Sequence, residues 1–236
     1  GISMLRAWAG AVRPLYKYEC YENYYRTLPD FRKRKADRLH SEEMKAQSVG
    51  VWALWTKIRR EYGMPEDAPV NFSHSGEYVM CAVVMDNAGD TQGRGSTDGL
   101  SQAVGRGAAH SCEKARVGCD LEKIGIFRAN VAKRFFCPEE YETLMREKTE
   151  EGRTKLFYRY WVLKESFMKA TGKGMALPVN AFSIRLGNPP LLIKKPKEFP
   201  EAYYYMEYKI EQVPYKMAVC STDKEIDAKL HMELRL

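Results

Sequence analysis

The chain has 236 residues, of which 44% are hydrophobic, and a formal net charge of +7. This composition predicts a folded globular protein with a real hydrophobic core, as one large domain or two small ones, and excludes a disordered chain. No run of residues approaches the ~18 apolar residues that span a bilayer, so no membrane association is expected. The positive charge favours an anionic partner, which could be nucleic acid, a phosphate-bearing cofactor or an acidic protein.

The six cysteines are scattered, without a CxxC pair or a regular framework. In a chain of this size the pattern predicts reduced and mostly buried thiols. The N-terminal segment also lacks the plan of a secretory signal peptide. Both observations predict a cytoplasmic protein.

The first part of the chain predicts a strand, a long helical stretch and two further strands. The segment "LRAWAGAV" (5–12) is typical of a strand, and residues 16–62 are largely helical in pattern. Residues 70–85 predict strand, loop and strand, because the polar cluster 73–76 is typical of a turn. Residues 87–115 are rich in glycine and small polar residues, which indicates a flexible insertion or surface loop.

The second part repeats the same order of elements with different lengths. It predicts a strand at 116–124, then helices, then three strands. The helices are predicted at 128–136, 138–148 and 151–170, and the strands at 181–186, 202–210 and 215–221. The repeated order favours an α+β protein with two similar halves.

These elements predict a division of the chain into four segments. Residues 4–86 form the N-terminal half and 87–115 the insertion. Residues 116–225 form the C-terminal half, and 226–236 are a C-terminal tail.

Four charged side chains are spaced so that they can meet. Asp120 and Glu122 lie two apart on a predicted strand, while Glu165 and Lys169 lie four apart on a predicted helix, so each pair shares a face. Three converging carboxylates would suit Mg²⁺, and a nearby lysine could pair with a phosphate or protonate a leaving group. The alternative is a solvated strand face and an ordinary helical ion pair. Spacing alone favours that alternative.

Two separated motifs, however, resemble the signature of a known family. "VGCDLEKI" (117–124) and "YWVLKESFMKATGKGMALP" (160–178) are similar to the (V/I)G(I/V)D-x-E and W-x-x-KE-(A/S)-x-x-K motifs of 4′-phosphopantetheinyl transferases. "AKRFFCPEEY" and "NFSHSG" resemble stretches of the surfactin-type (Sfp-type) branch of that family. The resemblance covers roughly residues 13–222 apart from the insertion. It implies a monomer of two pseudo-symmetric α+β halves, with coenzyme A and Mg²⁺, or Mn²⁺ as an alternative ion, in the cleft between them.

The resemblance also implies roles for individual residues. It makes Asp120, Glu122 and Glu165 the metal ligands, and Glu165, Lys169 and Glu140 the catalytic groups, with Glu140 assisting the base step. The cofactor-binding residues that the resemblance implies are Ser73, His74, Lys164, Lys169 and Arg34.

Several of these positions have simpler alternatives. His74 could be a loop histidine, Glu140 could be a first-turn charge favoured by the helix dipole, and Arg34 could belong to a solvated helix face. Met64 stands where the family commonly has a lysine, which puts a contact with the adenine end of the cofactor in doubt.

The implied reaction moves the phosphopantetheine arm of coenzyme A onto a serine of an acyl-, peptidyl- or aryl-carrier protein and releases adenosine 3′,5′-bisphosphate. Such carriers are acidic and serve fatty acid, polyketide or nonribosomal peptide biosynthesis. The resemblance implies that they dock near residues 127–144. Two alternatives remain: a nucleic-acid-binding module that uses the basic stretch 31–60, and a coenzyme A binder without catalysis. No recognised nucleic-acid-binding motif supports the first, and the intact carboxylates argue against the second.

Overall fold

The computed structural model describes residues 2–86 and 114–233 of the chain. The N-terminal half contains one long strand, three helices and a hairpin. These are β1 (Ser3–Ala11), a 3₁₀ turn (Arg13–Tyr16), α1 (Tyr18–Tyr25), α2 (Asp30–Asp37), α3 (Glu42–Tyr62), β2 (Val70–Ser75) and β3 (Tyr78–Asp86). The C-terminal half contains β4 (Val117–Lys123), α4 (Ala129–Phe135), α5 (Pro138–Met145), α6 (Glu150–Ala170), a 3₁₀ turn (Gly174–Ala176), β5 (Ser183–Arg185), β6 (Leu191–Lys194), β7 (Tyr204–Tyr208), β8 (Tyr215–Ser221) and β9 (Ile226–Met232).

The two halves share one topology. In the first, β1 pairs with β3 and β3 with β2, all antiparallel; in the second, β4 pairs with β8 and β8 with β7 in the same way. In each half a 21-residue helix lies between the first strand and the hairpin in the sequence. This correspondence confirms the expected α+β class and gives structural support to the expected pseudo-symmetry of the halves.

The long helices also begin in the same way. Ser41 accepts a hydrogen bond from the amide of Met44 at the start of α3, and Thr149 accepts one from Gly152 at the start of α6. Two glutamates follow each cap, where their charge is favoured by the helix dipole. Helix α3 ends at Gly63, which has the left-handed conformation (φ 60°) that glycine adopts readily.

Separate apolar clusters bury these elements. One lies between α3 and the first sheet, and a second lies between the two sheets. A third packs α6 against β8 and the β5–β6 hairpin, and a fourth packs α4 and α5 against the middle turns of α6. The second cluster contains residues of both halves and therefore holds them together.

The structure corrects the sequence-based account at three places. Strand β6 (Leu191–Lys194), which pairs with β5, was not predicted. The polar segment predicted as a turn at 73–76 belongs mostly to β2, which runs to Ser75, and the turn lies at Gly76 and Glu77. Residues 226–232, predicted as part of a tail, form β9, which pairs in parallel with β1 of the other half. The remaining predicted strands and helices are confirmed within a few residues at each end.

Most of the predicted insertion, residues 87–113, lies outside the described residues. The described cysteines are all free, and four of them (Cys81, Cys119, Cys137, Cys220) are buried, as predicted for reduced thiols. In the described part of the chain, every helix is too short or too polar to cross a bilayer.

Candidate active site

Strand β4 and helix α6 approach each other unusually closely. A Cβ atom at Gly118 would lie 2.0 Å from the carbonyl oxygen of Ser166 and 2.5 Å from the amide nitrogen of Ala170. The hydroxyl of Ser166 donates to the carbonyls of Val162 (2.6 Å) and Ala218 (3.1 Å), which ties the helix to the same sheet. The contact holds the two elements that carry the predicted catalytic groups side by side.

Asp120 is the central carboxylate of the site. It is only 4% exposed, and its Oδ1 accepts a hydrogen bond of 3.0 Å from the hydroxyl of Ser73. Its Oδ2 is buried and finds no hydrogen-bond partner among residues 2–86 and 114–233. Burial raises the pKa of Asp120 well above its usual value, and the negative charges of Glu122 and Glu165 raise it further. A buried carboxylate with a free oxygen is poised to receive a cation.

Glu122 and Glu165 share this space with Asp120. Burial and the charge of Glu165 raise the pKa of Glu122 to about 7, and burial also raises the pKa of Glu165. Across the described ranges, no three Asp, Glu, His or Cys side chains already stand in a metal-ligand arrangement. Glu165 is therefore near enough to raise the pKa of Asp120 and of Glu122, but the three carboxylates do not converge on one point.

Lys169 provides the positive charge of the site. Its ammonium donates to the carbonyls of Phe72 and Cys119, both at 3.0 Å, and lies 3.8 Å from Oδ1 of Asp120. The two carbonyls belong to different halves of the molecule. Lys169 thus links β2 to β4 next to the carboxylates, and its charge partly offsets theirs.

Three cations act on His74, whose side chain is exposed on β2. Partial desolvation lowers the pKa of His74, and the nearby charges of Lys169, Lys35 and Arg32 lower it further. Arg32 is 6% exposed; its guanidinium donates to the carbonyl and hydroxyl of Ser48, and its Nε has no partner within the described part of the chain. Three cations around one imidazole form a surface that suits an anion such as a phosphate.

Two residues of the basic run influence His74 through their charge. Arg32 is buried, whereas Lys35 and Arg34, the predicted cofactor contact, are both exposed on α2. The hydroxyl of Ser73 is engaged by β4, since it donates to Asp120 and accepts from the amide of Leu121. Sequence reasoning noted the basic run 31–38 but could not fix which of its residues point inward. Met64, which stands at the position of the family lysine, packs against the core of the N-terminal half.

Glu140 and Lys164 form a buried ion pair away from the other carboxylates. Their charged atoms lie 2.8 Å apart, and both side chains are fully buried. Glu140 also accepts from the amides of Cys137 and Ile184, and Lys164 donates to the carbonyls of Val179 and Phe182. With their bonding capacity satisfied, these groups hold α5, α6 and β5 together. These contacts are structural, and the roles of Glu140 in the base step and of Lys164 in cofactor binding stay predictions.

This pair predicts a large loss of stability on truncation. We expect Glu140→Ala to lower the free energy of unfolding by about 3–5 kcal/mol, because it leaves the ammonium of Lys164 buried without its counter-ion. Glu151→Ala is the control, because it removes the exposed partner of Lys155. It should change the free energy of unfolding by less than about 0.5 kcal/mol. Urea denaturation measures both. A Glu140→Ala variant as stable as Glu151→Ala would contradict a structural role for the pair.

The raised pKa of Glu122 predicts a pH dependence for the metal-free protein. Between pH 4.5, near its ordinary pKa, and about 7, the folded state binds more protons at this group than the unfolded state. Stability contributed by the group is therefore full at low pH and is lost as pH rises through this window. As pH rises from 4 to 8, the free energy of unfolding of wild type should fall relative to that of Glu122→Gln. Urea denaturation of both proteins across this range measures the difference. A difference independent of pH would refute the prediction.

Comparisons with known proteins agree with this site. The model of the 4′-phosphopantetheinyl transferase superfamily matches residues 116–220, which contain Asp120, Glu122, Glu165 and Lys169. The chain belongs to the 4′-phosphopantetheinyl transferase family, which is a family of enzymes. Its relatives include members of the Sfp-type branch.

Two Bacillus subtilis proteins illustrate the relationship. The 4′-phosphopantetheinyl transferase Sfp is 32% identical over 178 residues, which are 73% of this chain and 66% of that protein. A second 4′-phosphopantetheinyl transferase is 30% identical over 184 residues, or 74% of this chain and 68% of that protein. The chain thus spans about two thirds of these relatives. The holo-[acyl-carrier-protein] synthase of Neisseria meningitidis is 21% identical and covers 45% of this chain and 95% of its own, with a TM-score of 0.36.

Proposed function

We propose that the protein transfers the 4′-phosphopantetheine group of coenzyme A to a serine hydroxyl of an apo carrier protein and releases adenosine 3′,5′-bisphosphate. The observation that carries this proposal is the position of Asp120, a buried carboxylate with a free oxygen, among Glu122, Glu165 and Lys169. Membership of the transferase family supports the reaction class. The cations around His74 support an anionic, phosphate-bearing cofactor.

Asp120, Glu122 and Glu165 would hold a Mg²⁺ ion, or Mn²⁺ in its place. The free oxygen of Asp120 and the raised pKa values of all three carboxylates support this assignment, because a cation would relieve both the unmet hydrogen-bonding capacity and the mutual repulsion. When bound, the ion neutralises charge on the pyrophosphate of coenzyme A.

The residues of the chain have distinct tasks in the reaction. The serine oxygen of the carrier forms a bond to the phosphorus that bears pantetheine, and the bond from that phosphorus to the bridging oxygen breaks. Glu165, which lies beside the proposed ion, is the carboxylate that would accept the serine proton. Lys169 stabilises the negative charge that develops on the leaving phosphate. His74, Lys35 and Arg32 bind those phosphate groups of coenzyme A that are remote from the reacting bond.

An acidic carrier protein fits the surface beside the site. The chain carries 38 Lys and Arg against 31 Asp and Glu, and this excess would speed the encounter with an acidic partner. An open groove of about 460 Å³ lies between residues 124–127 and the first turns of α6, and it presents the exposed apolar side chain of Ile126. Its charged residues are Glu150, Glu151 and Lys155, which pairs with Glu151, so the groove supports docking near the predicted segment 127–144 through its apolar side and not through its charge. The protein would act as a monomer in the cytoplasm.

The direct test is to mix the protein with coenzyme A, Mg²⁺ and apo acyl- or peptidyl-carrier proteins, and to measure carrier mass. The expected result is the added mass of phosphopantetheine, equimolar release of adenosine 3′,5′-bisphosphate and loss of both with a chelator. A carrier whose serine is replaced by alanine is the control. No mass increase across a panel of carriers would overturn the proposal. Tight, salt-sensitive binding of DNA or RNA would instead support the nucleic-acid alternative.

A further inference from the structure

The two larger sheets of the described residues lie with one edge of each beside the other. Strand β2 is the outer strand of the sheet ordered β2-β3-β1-β9, and β4 is the outer strand of the sheet ordered β4-β8-β7. An outer strand has backbone N–H groups that its own sheet does not satisfy. The structure shows how the outer edge of β4 is satisfied.

Side chains of β2 take the place of a neighbouring backbone. Three amides of β4 donate to three side-chain oxygens of β2, and alternate residues take part on both strands. The pairs are Cys119 to Oδ1 of Asn71 (2.9 Å), Leu121 to Oγ of Ser73 (3.1 Å) and Lys123 to Oγ of Ser75 (2.9 Å). We refer to these three hydrogen bonds as the β2–β4 seam.

The hydrogen bonds of the seam lie on both sides of the two β4 carboxylates of the proposed metal site. Asp120 and Glu122 are the residues between the three anchored amides, so each has an anchored amide on both sides. The side chains of a strand alternate between its faces, so the two carboxylates share one face of β4. Of the three β2 residues whose oxygens accept these hydrogen bonds, Ser73 also donates to Asp120, whereas Asn71 and Ser75 contact the backbone of β4 in the seam.

We infer that Asn71 and Ser75 are positioning residues that fix β4 so that Asp120 and Glu122 can bind the divalent ion. This inference rests on the proposed function. Mg²⁺ requires near-ideal octahedral geometry, so a small displacement of the strand that carries two of its ligands weakens binding. Loss of partners outside the ligand shell typically lowers metal affinity by about 10–100-fold. Beside the seam, the thiol of Cys119 donates to the carbonyl of Asn71 at 3.4 Å, and Lys169 donates to a carbonyl of each strand.

Three variants separate positioning from general stability. Ser75→Ala removes one seam oxygen at a half-buried position, and Asn71→Leu removes another with little change in side-chain shape. Ser75→Thr keeps the hydroxyl and is the conservative rescue. Ser221→Ala is the matched control, because Ser221 is a buried serine that also bonds the chain beside β4, at Arg116 (2.7 Å), but lies at the opposite end of the strand from Glu122.

The measurement is the dissociation constant for Mg²⁺ or Mn²⁺ alone, by calorimetry, together with the melting temperature and the exchange of the Cys119 and Lys123 amides. We expect Ser75→Ala and Asn71→Leu to bind the ion about 10–100-fold more weakly and to lose protection at the corresponding amide, while Ser75→Thr behaves as wild type. Ser221→Ala should lower only the melting temperature. Unchanged metal affinity in both seam variants, with wild type binding the ion, would overturn this inference alone. A wild type that binds no divalent ion would overturn the proposed metal site as well.

Discussion

Asp120→Asn is expected to abolish phosphopantetheine transfer and, at the same time, to stabilise the metal-free protein. The amide keeps the shape of the side chain and an oxygen that can accept from Ser73. It removes the negative charge that the proposed metal site requires, so the loss of activity should exceed the roughly 10–100-fold that lost outer-shell partners produce. Both effects come from one substitution of a single buried group.

The gain in stability follows from the direction of the pKa shift. Burial raises the pKa of Asp120, so the folded state holds its proton at pH values where the unfolded state has released it. Stability from this group is therefore lost as pH rises through the raised pKa, and a neutral side chain avoids that loss. We expect a gain on the order of 0.5–2 kcal/mol at pH 8 without metal.

Urea denaturation with and without Mg²⁺ measures this prediction, alongside the transfer assay. Added Mg²⁺ should stabilise wild type but leave Asp120→Asn unchanged, because an ion that binds only the folded state stabilises it. The control is Asp37→Asn, at an exposed carboxylate of α2 that accepts from Tyr25, which should change neither activity nor metal response. A variant that retains transfer, or that is less stable than wild type without metal, would contradict the assignment of Asp120.

Gly118→Ala is expected to disrupt the packing of the C-terminal half. The added methyl group would lie 2.0 Å from a carbonyl oxygen and 2.5 Å from an amide nitrogen of α6, and both are backbone atoms that cannot rotate away. The helix must move, so the loss of stability should exceed the roughly 1–3 kcal/mol of ordinary overpacking. Because the same helix carries Glu165 and Lys169, transfer should be lost even in molecules that remain folded.

Gly125→Ala is the matched control for this substitution. It follows the same strand, and its added methyl group would meet only the hydroxyl of Tyr158, at 3.0 Å, at the end of a side chain that can shift. We expect it to lower stability by less than about 1 kcal/mol. Equal unfolding midpoints in urea for the two variants would show that the contact of β4 with α6 is more adaptable than its distances imply.

The sequence predicted the parts of the fold whose signals are local. Strands β1 and β4 and helices α3 and α6 have strong apolar patterns, caps or glycine stops, and the structure confirms them. Strand β9 was missed because its pattern is weak and its partner, β1, lies at the other end of the chain. Its pairing depends on tertiary contacts that periodicity does not encode.

The polar strand β2 was misjudged for a reason that the structure explains. Asn71, Ser73 and Ser75 are typical turn residues, and in an ordinary sheet their side chains would face solvent. Here their side-chain oxygens accept hydrogen bonds from backbone amides of β4, so these three positions of β2 must carry polar side chains. A polar residue at every second position was the available signal.

The buried ion pair of Glu140 and Lys164 is a contact that residue type alone did not predict. Lys164 and Glu165 are adjacent in sequence, but successive helix residues point about 100° apart, so one enters the core and the other the cleft. Glu140 lies at the third position of α5, where it bonds the backbone of Cys137 at the helix start. That position, three residues after the cap, was the signal for a structural role.

Strand β9 makes the N-terminal half dependent on the last part of the chain. The superfamily match ends at residue 220, before β9 begins. A fragment cut there would uncover one edge of β1, most of whose residues are buried in the intact protein. Such a long apolar edge recruits other chains, so a chain that keeps β1 but ends at residue 220 is expected to self-associate. The N-terminal sheet thus depends on a strand that lies beyond the segment matched by the family model.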